Sequence, residues 1–341
     1  MEETSSNGYN ENILKNINSN YILENVFGYL NENKLLQIIK YNSYLKKILN
    51  KDINDYKRYT QIELEIIAIN LEDSNVFINL KKKDKQYYHI YFNDEKKEIN
   101  NNFFLKNKKV NKIRITIDYP INSFKNLFQY CKCIKKITFI KFNRNSIIDM
   151  SGMFQNCESL EVLNFIKFNT DRVIDMSYMF QYCKSLKELN LINFNTNRVE
   201  NMKSMFEGCT SLNKLNITNF NTNNVTNMNS MFHRCQSLKE IKCNLFNTNK
   251  VNDMKYMFFF CFSLKELKLN DFNTNNVRDM SFMFVGCKSL KELELNISCN
   301  NENINMESMF YDCSEELKNN IKKLNIKSEA FYYYDDDFCY W

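Results

Sequence analysis

An apolar pattern that returns every 26 residues organises most of the chain. Eight cysteines keep this spacing from Cys131 to Cys313, and a phenylalanine lies three residues before each of them. A leucine lies three residues after six of these cysteines. A fixed period of about 20–50 residues is typical of repeat proteins, in which each repeat buries its apolar face against its neighbours.

One repeat contains two apolar patterns, which residues 185–212 illustrate. Leu189 and Leu191 alternate with polar residues, which predicts a short strand with one buried face. After a turn, a second set of apolar residues is spaced by three, three, one, three and three, which predicts a short helix. That set consists of Val199, Met202, Met205, Phe206, Cys209 and Leu212. We therefore expect a strand, a turn and a helix in each repeat, with the strands about 4.8 Å apart in a parallel sheet.

The predicted turns begin with an Asn-Thr pair that also follows the repeat. The pairs start at Asn169, Asn195, Asn221, Asn247 and Asn273. Asn and Thr side chains bind turn backbone, and stacked amides bond to one another. We expect a structural ladder of amides here, and a ligand-binding row of asparagines is the alternative.

Cys235 lies two residues from His233, which raises the question of a catalytic Cys–His pair. The cysteine recurs in every repeat, whereas the position of His233 is occupied by Gln, Glu, Phe or Val in other repeats. A catalytic pair would not need a repeated cysteine. We therefore expect the eight cysteines to pack as small apolar side chains.

The repeated pattern FNTxxVxxMxxMFxxCxSLxxLxL resembles the BspA-like leucine-rich repeats, and the resemblance covers about residues 108–327. It implies an α/β fold: a leucine-rich-repeat solenoid with a parallel concave sheet and short convex helices. It also implies a binding role, since family members of this type are often surface or adhesion proteins. We expect a small helical segment and a β-rich region to precede the solenoid.

The N-terminal segment YILENVFGYLNENKLLQIIKYNSYLKKIL resembles an F-box, with a short helix ending in F-x-x-L and a Leu pair in the next helix. F-boxes present such helices to the Skp1-type adaptor of a ubiquitin ligase, in a helix-in-groove contact. The adaptor-binding residues that this resemblance implies are Ile22, Val26, Phe27, Leu30, Leu35 and Leu36. A plain helical cap and an unrelated helical domain are the alternatives.

These patterns divide the chain into five predicted parts. We predict a disordered N-terminus at 1–11, a helical F-box-like segment at 12–52, a β-rich region at 53–107, the leucine-rich repeat solenoid at 108–327 and an aromatic and acidic C-terminal tail at 328–341. The tail, FYYYDDDFCYW, is expected to cover the last repeat, and a partner-binding peptide is the alternative.

The strand pattern also predicts which residues a partner would meet. Residues that flank the inward leucines point away from the core, because side chains alternate along a strand. On the concave face these are Glu188, Asn190, Lys214, Asn216, Glu240, Lys242, Glu266, Lys268, Glu292 and Glu294. Their charges change along the array although the core spacing does not demand it, so this face is free to carry specificity. A merely solvated sheet face is the alternative.

Composition narrows the class of protein. The chain has 341 residues, 44% of them hydrophobic and 25% charged, with a net charge of +6 that is spread along the sequence. We therefore expect protein partners and no nucleic acid. The N-terminus lacks the charged and apolar regions of a secretory signal, and no apolar run approaches the roughly 18 residues of a membrane helix. We expect a cytoplasmic protein with reduced cysteines, and a cell-surface location is the alternative.

No motif for catalysis or cofactor binding is found. The sequence has only two histidines, no CxxC pair, no HExxH and no glycine-rich phosphate loop. We therefore expect no catalytic residues, no cofactor and no metal. The expected function is non-catalytic protein recognition, as an F-box-like substrate adaptor of a ubiquitin ligase. The alternatives are a BspA-like surface, adhesion or host-interaction protein and a structural scaffold.

Overall fold

The computed structural model divides the chain into two units, Met1–Gln61 and Ile62–Trp341. The residues that it describes are 38, 47, 55, 58, 60–71, 75–105, 109–118, 121–142, 146–166, 168–242, 246–269, 272–295, 297, 304–321 and 326–332. In the first unit, the described residues with helical backbone are Ile38, Lys47, Asp55, Arg58 and Thr60. The second unit contains the repeats and consists mostly of strands with few helices.

Nine strands are described in the second unit. They are β1 (Ile62–Ala68), β2 (Tyr88–Phe92), β3 (Lys112–Ile117), β4 (Ile134–Phe142), β5 (Val162–Phe165), β6 (Glu188–Asn190), β7 (Lys214–Asn216), β8 (Glu266–Leu269) and β9 (Glu292–Leu295). The described helices of this unit are α1 (Glu315–Ile321) and two 3-10 turns, Lys85–Tyr87 and Ser328–Ala330.

The first five strands form one sheet in the order β2-β3-β1-β4-β5. All neighbours in it are antiparallel except β4 and β5, which are parallel. β1 alternates strictly, with Ile62, Leu64 and Ile66 buried and Glu63 and Glu65 on the opposite face. Because β3 and β4 come from the predicted repeat region, that region shares a sheet with the β-rich region before it.

Successive repeats pair in parallel. β6 pairs with β7 and β8 with β9, and Leu189 lies opposite Leu215, 26 residues later. A second parallel ladder has one bridge residue per repeat: Ser123, Asp149, Asp175, Asn201, Asn227, Asp253, Asp279 and Asn305. This pairing is consistent with a leucine-rich-repeat-like fold. Within the described ranges, however, the parallel strands form separate pairs and not the single continuous sheet that was predicted.

The prediction of short convex helices is wrong. Residues 199–212 and their counterparts from 121 to 313 form runs of tight turns, and none of the described residues in that range is helical. Each run has two residues with positive φ four positions apart, such as Ser204 at 53° and Gly208 at 68°. The others are Asn126 and Tyr130, Gly152 and Asn156, Tyr178 and Tyr182, Ser230 and Arg234, Tyr256 and Phe260, Phe282 and Gly286, and Ser308 and Asp312.

Backbone hydrogen bonds explain why turns replace helices. In an α-helix every N–H donates to the carbonyl four residues earlier. Here alternate N–H groups, those of Met202, Ser204, Phe206 and Gly208, donate to carbonyls of the next repeat at 2.7–3.1 Å. Of the N–H groups between them, those of Met205 and Glu207 donate to the carbonyl three residues earlier in the same repeat, and that of Lys203 donates to Asn201 Oδ1. Each repeat therefore satisfies its backbone partly through its neighbour, which a helix cannot do.

Phenylalanine rings form a continuous stack through the core. The stacked rings are those of Phe128, Phe154, Phe180, Phe206, Phe232, Phe258, Phe284 and Phe310. Neighbouring ring centroids are 5.3 to 5.6 Å apart, and all eight side chains are fully buried. The apolar residues predicted for one repeat, from Val199 to Leu212, are likewise fully buried. The turns therefore present the same apolar face to the core that a helix was expected to present.

The eight repeated cysteines are buried and free, as predicted. The sequence did not reveal their second contact: seven of them donate S–H to the carbonyl of a phenylalanine in the preceding repeat, as Cys209 does to Phe180 at 3.1 Å. Burial raises the pKa of Cys209 and Cys261 to about 12. These thiols are therefore protonated at neutral pH, which disfavours nucleophilic chemistry.

Threonine, and not asparagine, makes most of the contacts between repeats at the Asn-Thr turns. Thr196 is buried, and its Oγ1 donates to the carbonyl of Asn221 at 2.9 Å and accepts from the Asn221 N–H at 2.8 Å. Asn195 Oδ1 accepts from the N–H of Asn197 within its own turn. Amide bonds between repeats do occur, as between Asn273 and Asn249 at 2.7 Å, so the predicted amide ladder is present only in part.

Both ends of the repeat array are covered by other parts of the second unit. At the start, Asn79 donates through its backbone N–H to Leu127 and through its side chain to Asn126 and Gln129. At the end, the ring of Phe331 stacks on Phe310 at 5.8 Å, and residues 329–332 accept hydrogen bonds from the last repeat. Covering the end repeats satisfies backbone groups that a further repeat would otherwise bind.

Candidate functional site

The exposed strand face carries the ten residues that were predicted to meet a partner. Nine of their side chains are exposed, and Asn216 is half-buried. Between them, the inward residues Leu189 and Leu267 are buried, because neighbouring residues of a strand point to opposite faces. The exposure of these ten residues is now observed, whereas their role in binding stays a prediction.

Six of the ten residues line one groove of about 870 Å³. They are Glu188, Asn190, Lys214, Asn216, Glu240 and Lys242. The parallel pairing of β6 with β7 places Glu188 opposite Lys214 and Asn190 opposite Asn216. The other four predicted residues lie on β8 and β9, where Glu266 faces Glu292 and Lys268 faces Glu294.

The charges on this face are only partly paired. Lys214 Nζ is 2.6 Å from Glu188 Oε1, and Lys268 Nζ is 3.5 Å from Glu294 Oε1. Both pairs are exposed, so each contributes about 0–1 kcal/mol to stability. Over the part of the chain that the structure describes, Lys242 has no carboxylate within ion-pair distance. The Lys242 ammonium is therefore available to an acidic group of a partner.

The floor of the groove offers hydrogen-bond donors. Asn190 Oδ1 accepts from the N–H of Ile192 at 3.2 Å, and Asn216 Oδ1 accepts from the N–H and hydroxyl of Thr218. Both side-chain oxygens are therefore held by the turn that follows the strand. Within the described ranges nothing accepts from the Nδ2 groups of Asn190 and Asn216, so these amides can donate to a bound molecule.

The lining of the groove includes one exposed apolar side chain that the sequence reasoning missed. Val162 lines the groove and is 40% exposed. Ile140 on β4 and Ile166 after β5, which do not line the groove, are 48% and 50% exposed. The strand alternation that located the ten charged and polar residues could also have found these three. Exposed apolar side chains beside polar donors are typical of binding surfaces for proteins.

The predicted adaptor-binding surface of the F-box-like segment lies outside the described residues. Its predicted residues are Ile22, Val26, Phe27, Leu30, Leu35 and Leu36. Cys243, Cys299 and Cys339 lie outside the described residues as well.

A polar row, buried at Gln181 and Glu207, runs beside the phenylalanine stack and was also missed. Side-chain amides of Gln129, Gln155 and Gln181 bond in sequence, and Gln181 Nε2 donates to Glu207 Oε2 at 2.7 Å. The row ends at His233, whose Nδ1 is 3.4 Å from Glu207 Oε1. Cys235 donates instead to the carbonyl of Phe206, so Cys235 and His233 form no pair.

Glu207 is buried and charged within this row. Burial raises its pKa, but hydrogen bonds from His233 and Gln181 and the attraction of His233 outweigh burial and lower the pKa from 4.5 to about 2. A lowered pKa stabilises the folded state above the unfolded value of 4.5, and this stabilisation is lost as the pH falls towards 2. The lost stabilisation is roughly 3 kcal/mol, since a tenfold change in acidity corresponds to about 1.4 kcal/mol.

We therefore expect Glu207→Gln to lose less stability in acid than the wild type. Glutamine keeps the shape and continues the amide row, but it cannot be protonated in this range. The free energies of urea unfolding at pH 5.5 and pH 2.5 should differ by roughly 2–3 kcal/mol more in the wild type than in the variant. Glu188→Gln, which alters an exposed carboxylate, is the control and should follow the wild type. If Glu207→Gln and the wild type lost equal stability in acid, the lowered pKa of Glu207 in the folded state would be contradicted.

Among the described residues, no group of three or more His, Cys, Asp and Glu side chains could hold a metal ion. None of the helices found there is both long enough and apolar enough to cross a membrane.

These observations define a repeat protein, built mostly of strands, with a polar groove on its exposed strand face. Residues 122–241 and 214–324 match the family model described as "Mycoplasma protein of unknown function, DUF285", and the chain belongs to this family. Among solved structures, a leucine-rich repeat protein from Bacteroides ovatus is similar at 17% identity and a TM-score of 0.25, over 66% of this chain and 80% of that one. No curated protein matches the chain.

Proposed function

We propose that the protein is a non-catalytic recognition module that binds a protein partner across the strand face of its repeats. The observation that carries the proposal is the groove of about 870 Å³, around which six predicted face residues converge. The groove combines an unpaired ammonium at Lys242, free amide donors at Asn190 and Asn216, and an exposed apolar side chain at Val162. Such a mixture suits a protein surface better than a small apolar ligand.

The repeats support a more specific geometry for this proposal. Each repeat donates backbone hydrogen bonds to the next in parallel register, and both strand pairs keep the 26-residue offset. We infer that the repeats form a solenoid and that the strand face is its concave side. The partner would then contact side chains of several repeats at once, with the charges setting register and association rate more than affinity.

The test is a double charge reversal on the strand face. Partners are first captured by cross-linking to the full chain and identified by mass spectrometry. Lys242→Glu combined with Lys268→Glu should then weaken the affinity for the identified partner by roughly tenfold, or about 1.4 kcal/mol. The loss is expected because an acidic group of the partner would meet carboxylates in place of ammonium groups.

The matched control reverses two charges away from the strand face. Arg198 and Lys250 are exposed and occupy equivalent positions two repeats apart. Arg198→Glu combined with Lys250→Glu changes the net charge equally and should leave the affinity unchanged. Equal affinity of the strand-face variant and the wild type would overturn the proposal, and so would equal losses in the two double variants.

Three narrower functions can be distinguished by experiment. An F-box-like adaptor role rests on the N-terminal sequence alone, and co-purification of a Skp1-type adaptor would support it. A surface, adhesion or host-interaction role would be supported by exposure of the protein on intact cells. A structural scaffold would bind its neighbours without dependence on Lys242 or Lys268.

A further inference from the structure

A second surface with unusual chemistry lies on the turn side of the repeats. Five aromatic residues form it, and they are called the aromatic patch below: Tyr256, Phe259, Phe260, Phe262 and Phe282. The ring centroids of Tyr256 and Phe259 are 5.3 Å apart, and those of Phe260 and Phe262 are 5.2 Å apart. Four members of the patch, Tyr256, Phe259, Phe260 and Phe282, pack with Val285 in an apolar cluster separate from the main core.

The repeat does not require aromatic residues at these positions. The position of Phe259 is occupied by Gln129, Gln155, Gln181, Glu207 and His233 in earlier repeats. The position of Phe262 is occupied by Lys132, Glu158, Lys184, Thr210 and Gln236. The main core beneath is the same in those repeats, so the patch contributes something other than core packing. Partly exposed aromatic side chains are enriched at binding surfaces.

Two cations lie on the rings of the aromatic patch. Lys255 Nζ is 5.0 Å from the ring centroid of Tyr256 and 5.3 Å from that of Phe282. Arg234 Cζ is 5.9 Å from the ring centroid of Phe260. Neither cation has a carboxylate within ion-pair distance among the residues that the structure describes. The patch therefore fits a segment that carries both aromatic rings and carboxylates.

Such a segment occurs in this chain. Residues 333–341 read YYDDDFCYW, with Asp335, Asp336 and Asp337 flanked by aromatic residues, and they lie outside the described residues. Phe331, close to their start, stacks on the ring of Phe310. Only three ring-to-ring steps of 5.3 to 5.8 Å separate Phe258, beside the patch, from Phe331. Nine extended residues span about 30 Å, so the segment is long enough to reach the patch.

We propose that residues 333–341 bind the aromatic patch of their own chain. The three aspartates face Lys255 and Arg234, and the aromatic side chains of the segment pack on the half-buried rings of Tyr256, Phe260 and Phe262. This contact is independent of the strand-face function, because it uses turn residues and none of the ten strand-face residues.

The sequence provides a spectroscopic probe for this contact, since Trp341 is the only tryptophan. In the full chain we expect its emission maximum to be blue-shifted and its quenching by iodide severalfold weaker than in a free peptide of residues 331–341. Lys255→Glu and Arg234→Glu, singly or together, should shift both values towards those of the peptide. High salt should act in the same direction, because it screens exposed charges.

Lys203→Glu is the matched control, because Lys203 occupies the position of Lys255 two repeats earlier, outside the patch. It should leave the Trp341 signal unchanged. Circular dichroism of each variant verifies that the repeats remain folded. The proposal is overturned if Trp341 in the full chain behaves as in the free peptide, or if Lys255→Glu and Lys203→Glu change its signal equally. A signal that disappears on dilution would assign the contact to a second copy and overturn the proposal for the chain's own segment.

Discussion

Phe206→Ala should destabilise the second unit by about 3–5 kcal/mol, the usual cost of truncating a buried phenylalanine. Phe206 is fully buried, and its ring lies 5.6 Å from both Phe180 and Phe232 in near-parallel stacks. Alanine leaves a cavity in the middle of this stack and removes two ring contacts. Urea unfolding followed by circular dichroism measures the loss in free energy.

The damage should also be local, because each repeat contacts mainly its neighbours. Hydrogen exchange should therefore accelerate most around residues 170–235 and much less near the two ends of the array. Phe103→Ala is the control for a side chain of the same size, since Phe103 is 42% exposed. It should cost far less. Unchanged exchange at 170–235 in Phe206→Ala would show that the stack does not hold these repeats together.

Much of the core could be predicted from the sequence, because burial imposes the same residues in every repeat. The 26-residue period identified Phe206, Met205 and Cys209 as buried and predicted that strands of successive repeats pair in parallel, as β6 and β7 do. It also identified which strand residues are exposed. These features depend on side-chain type and spacing, which are visible in a single sequence.

The backbone of the turns could not be predicted in the same way. An apolar spacing of three and one fits a helical stripe and a run of tight turns equally well. The usual signal for positive φ is glycine, but glycine occupies only three of these positions, Gly152, Gly208 and Gly286. Elsewhere Tyr182 and Arg234 adopt the same conformation, held by hydrogen bonds to the next repeat that the sequence does not display.

The polar contacts between repeats were misjudged for a related reason. Asn195 and Thr196 recur together, so their spacing alone cannot show which of them points inward. The structure shows that Thr196 is buried and bonds to the backbone of the next repeat, whereas the Asn195 side chain accepts within its own turn and donates to Asp171 of the preceding repeat. The exposed side chain of Val162 could not be recognised from the change in charge along the array, because it carries no charge.

Thr196→Val should reveal how much these threonine contacts contribute. Valine has nearly the same shape, but it removes the hydroxyl that both donates to the Asn221 carbonyl and accepts from the Asn221 N–H. Leaving a buried donor or acceptor without a partner costs about 1–3 kcal/mol, and both the N–H and the carbonyl of Asn221 lose theirs, so the loss should be about 2–6 kcal/mol. The free energy of urea unfolding measures it, and hydrogen exchange at the Asn221 amide should accelerate.

Thr196→Ser is the matched control, because serine keeps the hydroxyl and removes only a methyl group. Its cost should be about 1 kcal/mol, from lost apolar burial alone. The Asn221 amide should remain protected in this variant, since serine can still accept its hydrogen bond. If valine proves no more destabilising than serine, the methyl group and not the hydroxyl is what matters at this position. The repeats would then be joined mainly by their apolar core and backbone hydrogen bonds, with little contribution from the threonine side chains.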